Sequence, residues 1–95
     1  MSGPICEFLT DESKLARGWF AKKSNGTLTT VFNKDATSFC AIGLLAKFHY
    51  GEDVIQASIS EKVKKLNEKV GDSVTIWSDN APFEEVKAVF CELGW

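Results

Sequence analysis

The longest apolar stretch of the chain runs from Ala36 to Tyr50, ATSFCAIGLLAKFHY, where Lys47 is the only formal charge. A helix with apolar residues on nearly every side belongs at the centre of a fold. The stretch is too short and too interrupted to cross a bilayer. Asp35 can accept hydrogen bonds from the first free amides of such a helix, and Gly51 stands where a terminating glycine belongs, so the predicted helix covers about 36–50. Cys40 and Gly43 fall on neighbouring turns of one face. A buried glycine costs about 1 kcal/mol of helix propensity relative to alanine, so Gly43 is expected to admit a backbone or ring that a side chain would block.

Patterns on either side supply the remaining elements. Ile5, Phe8, Leu9, Leu15 and Ala16 recur at roughly helical spacing between Pro4 and Gly18, predicting a first helix over about 4–17. Its polar stretch from Thr10 to Lys14 leaves room for Thr10 or Asp11 to cap a separate helix instead. Aromatic and β-branched residues flank Asn25-Gly26, which predicts a hairpin with strands near 19–22 and 28–32. Ser58 and Glu61 have capping-box spacing before a stripe of Ile59, Val63, Leu66 and Val70, a surface helix ended by Gly71. The alternating run from Ser73 to Trp77 reads as a third strand, followed by a turn over Ser78 to Asn80. Pro82 opens a last helix in which Phe83, Val86, Val89, Phe90 and Leu93 form the apolar stripe, with Glu84 and Glu85 at its positive end and Gly94 as its stop. The expected architecture is a single small α+β domain over 1–95, with three to four helices around a central buried helix and a small antiparallel sheet made of the hairpin plus a third strand.

Composition narrows the class without naming a function. With 44% apolar and 25% charged residues, the chain is neither disordered, collagenous nor a membrane protein. Cys6, Cys40 and Cys91 are odd in number and scattered among apolar neighbours, so free, reduced thiols are expected. The N-terminal residues lack the basic start of a secretory signal, which makes the cytosol the default location. No metal site is expected, because the cysteines and His49 offer neither Cys-x-x-Cys nor His-x-x-x-His pairing. No cofactor is implied either, since a phosphate-cradling Gly-rich loop is absent.

Charge is uneven along the chain. Residues 1–50 carry six basic against four acidic side chains, a balance of +2, whereas residues 51–95 carry five against nine, a balance of −4. From Asp72 onward, Asp72, Asp79, Glu84, Glu85 and Glu92 are opposed only by Lys87. Such a surface repels nucleic acid and favours a basic partner. The basic residues are dispersed, and Lys22-Lys23 is a hairpin pair only.

The one enzyme-like constellation joins Cys40 as nucleophile, His49 as base, and Asp79 or Asn80 as the orienting group. Within a single helix, nine residues separate the first two by about 13.5 Å and half a turn of azimuth, whereas proton transfer requires about 3 Å. His49 therefore reads as a half-buried residue of the last helical turn, where a protonated imidazole would favour the helix C-terminus. Asp79 and Asn80 read as residues capping a helix start.

Gly18-Trp19 after a helix, Phe39-Cys40-Ala41-Ile42-Gly43, and Ile76-Trp77-Ser78-Asp79-Asn80 before Glu84-Glu85-Val86 form an ordered set. Across most of the chain this order resembles an uncharacterised bacterial and phage family, a domain of unknown function. Its members pair a Gly-Trp with an aromatic-Cys-x-x-Gly-Ala helix and a Trp-Asn-Asp turn leading into a helix. Here Leu44 replaces the family's alanine, and Trp77 to Asn80 inserts and reorders residues in the turn. The resemblance implies a small α+β scaffold of phage or mobile-element origin and carries over no activity, substrate or cofactor.

The expected function is a non-catalytic protein-interaction module of phage or bacterial origin, residing in the bacterial host cytosol; inhibition of a host system is one form this could take. It would bind a basic protein partner through Asp79, Asn80, Glu84, Glu85 and Glu92. The alternative is a small cysteine-dependent enzyme using Cys40 with Asp79 or Asn80. A third reading is a homodimer formed through exposed aromatics such as Trp95.

Overall fold

A computed structural model describes residues 3–95. The elements in chain order are α1 (Pro4–Phe8), a 3-10 turn (Glu12–Lys14), β1 (Ala21–Lys23), β2 (Leu28–Thr29), β3 (Ala36–Phe39), α2 (Ala41–His49), α3 (Val54–Ser58), α4 (Glu61–Val70), α5 (Val74–Asn80) and α6 (Phe83–Leu93). The strands form an antiparallel sheet in the order β2-β1-β3. The fold is the α+β domain expected, with α2 at its centre: Ala41 to Ala46 are all buried.

The boundaries of that central helix differ from the sequence reading. Ala36 to Phe39 form the third strand, pairing Ala21 with Phe39, Lys22 with Ser38 and Lys23 with Ala36. The helix begins only at Ala41, so Cys40 and not Asp35 is its cap. Conversely, the alternating run predicted as a strand at 73–77 is helix α5, in which Val74, Trp77 and Ser78 are buried at helical spacing. A β-branched, aromatic stretch this short fits either period. Cross-strand pairing at 36–39 decides which segment joins the sheet.

The first helix also stops early. It ends at Phe8, and Asp11 accepts from the Ser13 amide at 2.9 Å to start the 3-10 turn. The hairpin strands are shorter than predicted but turn as expected around Asn25-Gly26, where the Asn25 side chain accepts from the Thr27 amide. Helix α3, which the apolar pattern does not signal, is capped by Asp53 through the Gln56 amide. At the start of α4, Ser60 rather than Ser58 accepts from the Val63 amide, and Ile59 is 66% exposed instead of joining the buried stripe of Val63 and Leu66. Gly71 and Gly94 end α4 and α6 in the left-handed region that glycine enters without penalty.

Two further expectations are overturned at the chain ends. Cys6 and Cys91 are joined in a disulfide that ties α1 to α6, so two of the three thiols are not free, and Cys40 alone remains a thiol. Trp95 is only 8% exposed, packed among Phe90, His49 and the Lys62 ammonium, and so is not an exposed aromatic as expected; Trp19 and Phe32 are the exposed ones. Its carbonyl accepts from the Ile5 amide at 2.9 Å, so Trp95 closes the α1 end of the core. None of the helices is long and apolar enough to cross a membrane among the described residues.

The bridge spans 85 positions of sequence. Loop-closure entropy sets an upper figure of roughly 4 to 5 kcal/mol for its effect on the unfolded chain. Reduction, or Cys91→Ser, is expected to lower the thermal unfolding midpoint well beyond 5 °C. A scan with and without dithiothreitol measures this, and an unchanged midpoint would show that the packing of α1 on α6 suffices alone.

Candidate functional site

Three segments singled out in the sequence meet in space. Gly18, Trp19 and Phe20 from the loop before β1, Cys40 and Ile42 from the start of α2, and Thr75, Ser78 and Asp79 from α5 line one cavity of about 170 Å³. Hydrogen bonds fix each wall to its neighbour. The Gly18 amide donates to Asp79 Oδ1 at 2.8 Å, and Arg17 Nη1 donates to the Ser78 carbonyl at 3.1 Å. The Ala41 amide donates to the buried Ser78 hydroxyl at 3.0 Å. The Cys40 amide donates to the Phe20 carbonyl at 3.2 Å. Trp19 holds its indole in place by donating to the Thr29 carbonyl at 3.0 Å.

Gly43 shows why a glycine occurs in a helix that would otherwise favour alanine. A Cβ there would overlap the Phe20 carbonyl oxygen and press on Phe39 Cβ at 3.3 Å. The backbone neighbour expected at Gly43 is therefore the Phe20 carbonyl.

Cys40 caps α2 through its sulfur, which accepts from the Gly43 amide at 3.4 Å. Burial pushes its thiol pKa up, outweighing the lowering pull of the Gly43 and Ile42 amides, and the Asp79 charge adds a smaller push upward. At neutral pH the sulfur is a protonated thiol, which is a poor nucleophile. His49 sits at the other end of α2, packed against the edge of the Trp95 ring. Its Nε2 is buried without a partner, and burial followed by the Lys62 charge lowers its pKa. The imidazole is therefore held neutral, contrary to the protonated form expected beside a helix C-terminus, because desolvation and Lys62 both oppose the charge.

The other sequence candidates are placed as follows. Asp79 lines the cavity and is anchored to Gly18. Asn80 turns back to donate to the Ile76 carbonyl at 2.8 Å and is not among the cavity residues. Both belong to the last turn of α5 and cap no helix start, since α6 has no side-chain cap. Glu85 Oε2 accepts from Trp77 Nε1 at 2.7 Å, Glu84 is exposed in the first turn of α6, and Glu92 pairs with Lys69 at 3.1 Å. Among the described residues, no group of three His, Cys, Asp or Glu side chains could hold a metal ion.

Sequence reasoning missed Ser78 and Thr75 as cavity residues, having placed them in a turn and a strand. The signal was the spacing of Val74, Trp77 and Ser78, at i, i+3 and i+4, which is helical and not alternating. Searches against family models, curated proteins and solved structures find no match to this chain.

Two outcomes test this geometry. Gly43→Ala is expected to destabilise by about 2 to 3 kcal/mol, because the intruding atom meets backbone rather than a movable side chain; denaturant unfolding measures it, and a neutral substitution would refute the close approach. Alkylation of Cys40 should follow a pH profile centred above that of an ordinary cysteine. Asp79→Asn, which keeps an acceptor for Gly18, should move the profile down but leave it elevated, since burial is the larger cause. A profile at or below that of a free cysteine would show an activated thiol.

Proposed function

We propose that this chain is a non-catalytic protein-interaction module that engages a basic partner at the corner where α5 passes into α6. The supporting observation is how the carboxylates there are held. Asp79 and Glu85 are pinned by the Gly18 amide and the Trp77 indole, which are neutral donors that orient a charge without cancelling it. Arg17 reaches the Ser78 carbonyl and makes no ion pair with Asp79. Glu84, one residue before Glu85, is exposed. Asn80 lies between Asp79 and this turn of α6, and Glu92 adds less, being paired with Lys69. Fixed, unneutralised carboxylates beside an apolar cavity suit a lysine- or arginine-bearing surface, with the field steering approach.

A phage or bacterial origin, and inhibition of a host system as the outcome of binding, are part of the same proposal and rest on the family resemblance. Residence in a bacterial host cytosol belongs to it too. There, reductants would hold Cys6 and Cys91 as a dithiol, whereas the bridged form fits an oxidising setting. The alternative, a cysteine-dependent enzyme using Cys40 with Asp79 or Asn80, gains from Cys40 and Asp79 sharing a cavity. It loses more, because burial, with a smaller push from Asp79, discourages the thiolate that the chemistry needs.

The immobilised chain is expected to retain a basic protein from host lysate at low salt and release it as salt rises. Glu84→Lys combined with Glu85→Gln, which preserves an acceptor for Trp77, should weaken retention at least tenfold. Retention indifferent both to salt and to the double substitution would remove this reading.

A further inference from the structure

A second cavity, of about 390 Å³, has the opposite character. Its lining includes Lys14 from the 3-10 turn, Lys22 and Lys23 from β1, Ser24 beyond it, and Thr37 and Ser38 from β3. No carboxylate lines it. We propose that this cavity binds an oligophosphate, a small anion carrying two or three linked phosphate groups.

Local backbone geometry gathers the donors. A regular strand sends neighbouring side chains to opposite faces, yet Lys22 and Lys23 both line the cavity, as do Thr37 and Ser38. The pairing register shifts between Lys22 and Lys23: Lys22 faces Ser38 and Lys23 faces Ala36, leaving Thr37 as the extra residue of a bulge. A bulge re-aims side chains in this way and brings both lysines and both hydroxyls to one concavity. Sequence alone shows Lys22-Lys23 as an isolated pair, because Lys14 joins it only through the packing of the 3-10 turn beside β3.

The donors are largely uncommitted. Lys14, Lys22 and Lys23 make no ion pair among the described residues; Lys14 rests its ammonium 5.4 Å from the centre of the Phe8 ring and its charge also acts on Asp11, which leaves Lys22 and Lys23 the freer pair. Ser13, also in the lining, gives both its amide and its hydroxyl to Asp11 and so is spent locally. Ser38 is different. It is 7% exposed, lines the cavity, and its hydroxyl makes no hydrogen bond to another described residue. Its oxygen is reached by solvent, since among the described residues His49 Nε2 alone is a buried polar side-chain atom without a partner, so the hydroxyl is available to a ligand in the cavity.

Charge and size choose among anions. Three lysines in the lining call for a ligand of comparable negative charge, which a single carboxylate does not supply and linked phosphates do, each oxygen being an acceptor for lysine or hydroxyl. The cavity volume lies in the range of small-molecule sites rather than that of a lone tetrahedral ion.

The test is an amide chemical-shift titration of the intact chain with inorganic tripolyphosphate at constant ionic strength. Saturable shifts confined to residues around 13–14, 22–26 and 37–38 are expected. Lys22→Gln and Lys23→Gln should each weaken binding about tenfold and Ser38→Ala severalfold, while Lys64→Gln on α4 leaves it unchanged. Sulfate should bind at least tenfold more weakly than tripolyphosphate. Adenosine triphosphate binding as tightly as tripolyphosphate would assign a nucleotide's phosphate tail as the source, and its failure to compete would assign free oligophosphate. Non-saturating shifts, shifts spread over all lysines, equal affinity for sulfate, or folded Lys22 and Lys23 variants that bind as the parent does would each overturn the proposal.

Discussion

The Phe20 carbonyl is the contact on which the rest of the structure depends. It accepts the Cys40 amide and lies against Gly43, so it is both the next rung of the β1–β3 ladder and the floor on which α2 rests. Cys40 belongs to both elements at once: its backbone is extended, with φ −76° and ψ 177°, while its own carbonyl accepts the first helical bond from Leu44 at 2.8 Å. A strand becomes a buried helix across one residue. That junction leaves free amides at the helix start with no water to satisfy them, and buried amides must find partners. Ser78 takes Ala41 and the Cys40 sulfur takes Gly43. Helix α5 must therefore lie where it does, and Cys40 is explained as a cap before any chemistry is asked of it.

The sequence showed this arrangement in part. Gly43 announced a close approach because nothing else justifies a glycine in the most apolar helix of the chain, and Gly71 and Gly94 marked helix ends through their left-handed conformations. Amphipathic stripes located α4 and α6. What remained illegible depends on distant partners. Ala36 to Phe39 join the sheet because β1 offers them a ladder, information that lies some 15 residues away in sequence. Asp35 looked like a good cap, whereas a thiol is a weak acceptor and an improbable one. The Cys6–Cys91 bridge depends on α1 and α6 meeting, which no local spacing reveals. That residues of the Gly18-Trp19, Cys40-Ala41-Ile42 and Ser78-Asp79 segments meet at one cavity was not legible in the sequence, and two of its walls had been given the wrong secondary structure.

The buried thiol and the neutral imidazole share one explanation. Each is a group whose charged form the interior disfavours, and each has a neighbour of the sign that deepens the effect: Asp79 for Cys40 and Lys62 for His49. Catalytic pairs are arranged the other way, with an acid beside the imidazole and a cation beside the thiol. The two groups sit at opposite ends of α2 with unfavourable neighbours, an arrangement that packing alone explains.

The two cavities are related through the same ribbon. By the two-residue period, Phe20, Lys22, Ser38 and Cys40 share one face of the β1–β3 pair, while Ala21 and Phe39 face the core. The lysine cavity and the Asp79 cavity therefore follow one another along that face, separated by about two residues of strand, or roughly 7 Å. Opposite charges act on one another over a screening length of about 8 Å at physiological ionic strength, and Asp79 is the one carboxylate in the neighbouring lining. An anion seated among the lysines would offset their field in its direction, so any coupling between the two proposed sites would be positive in sign and would require no change in backbone conformation.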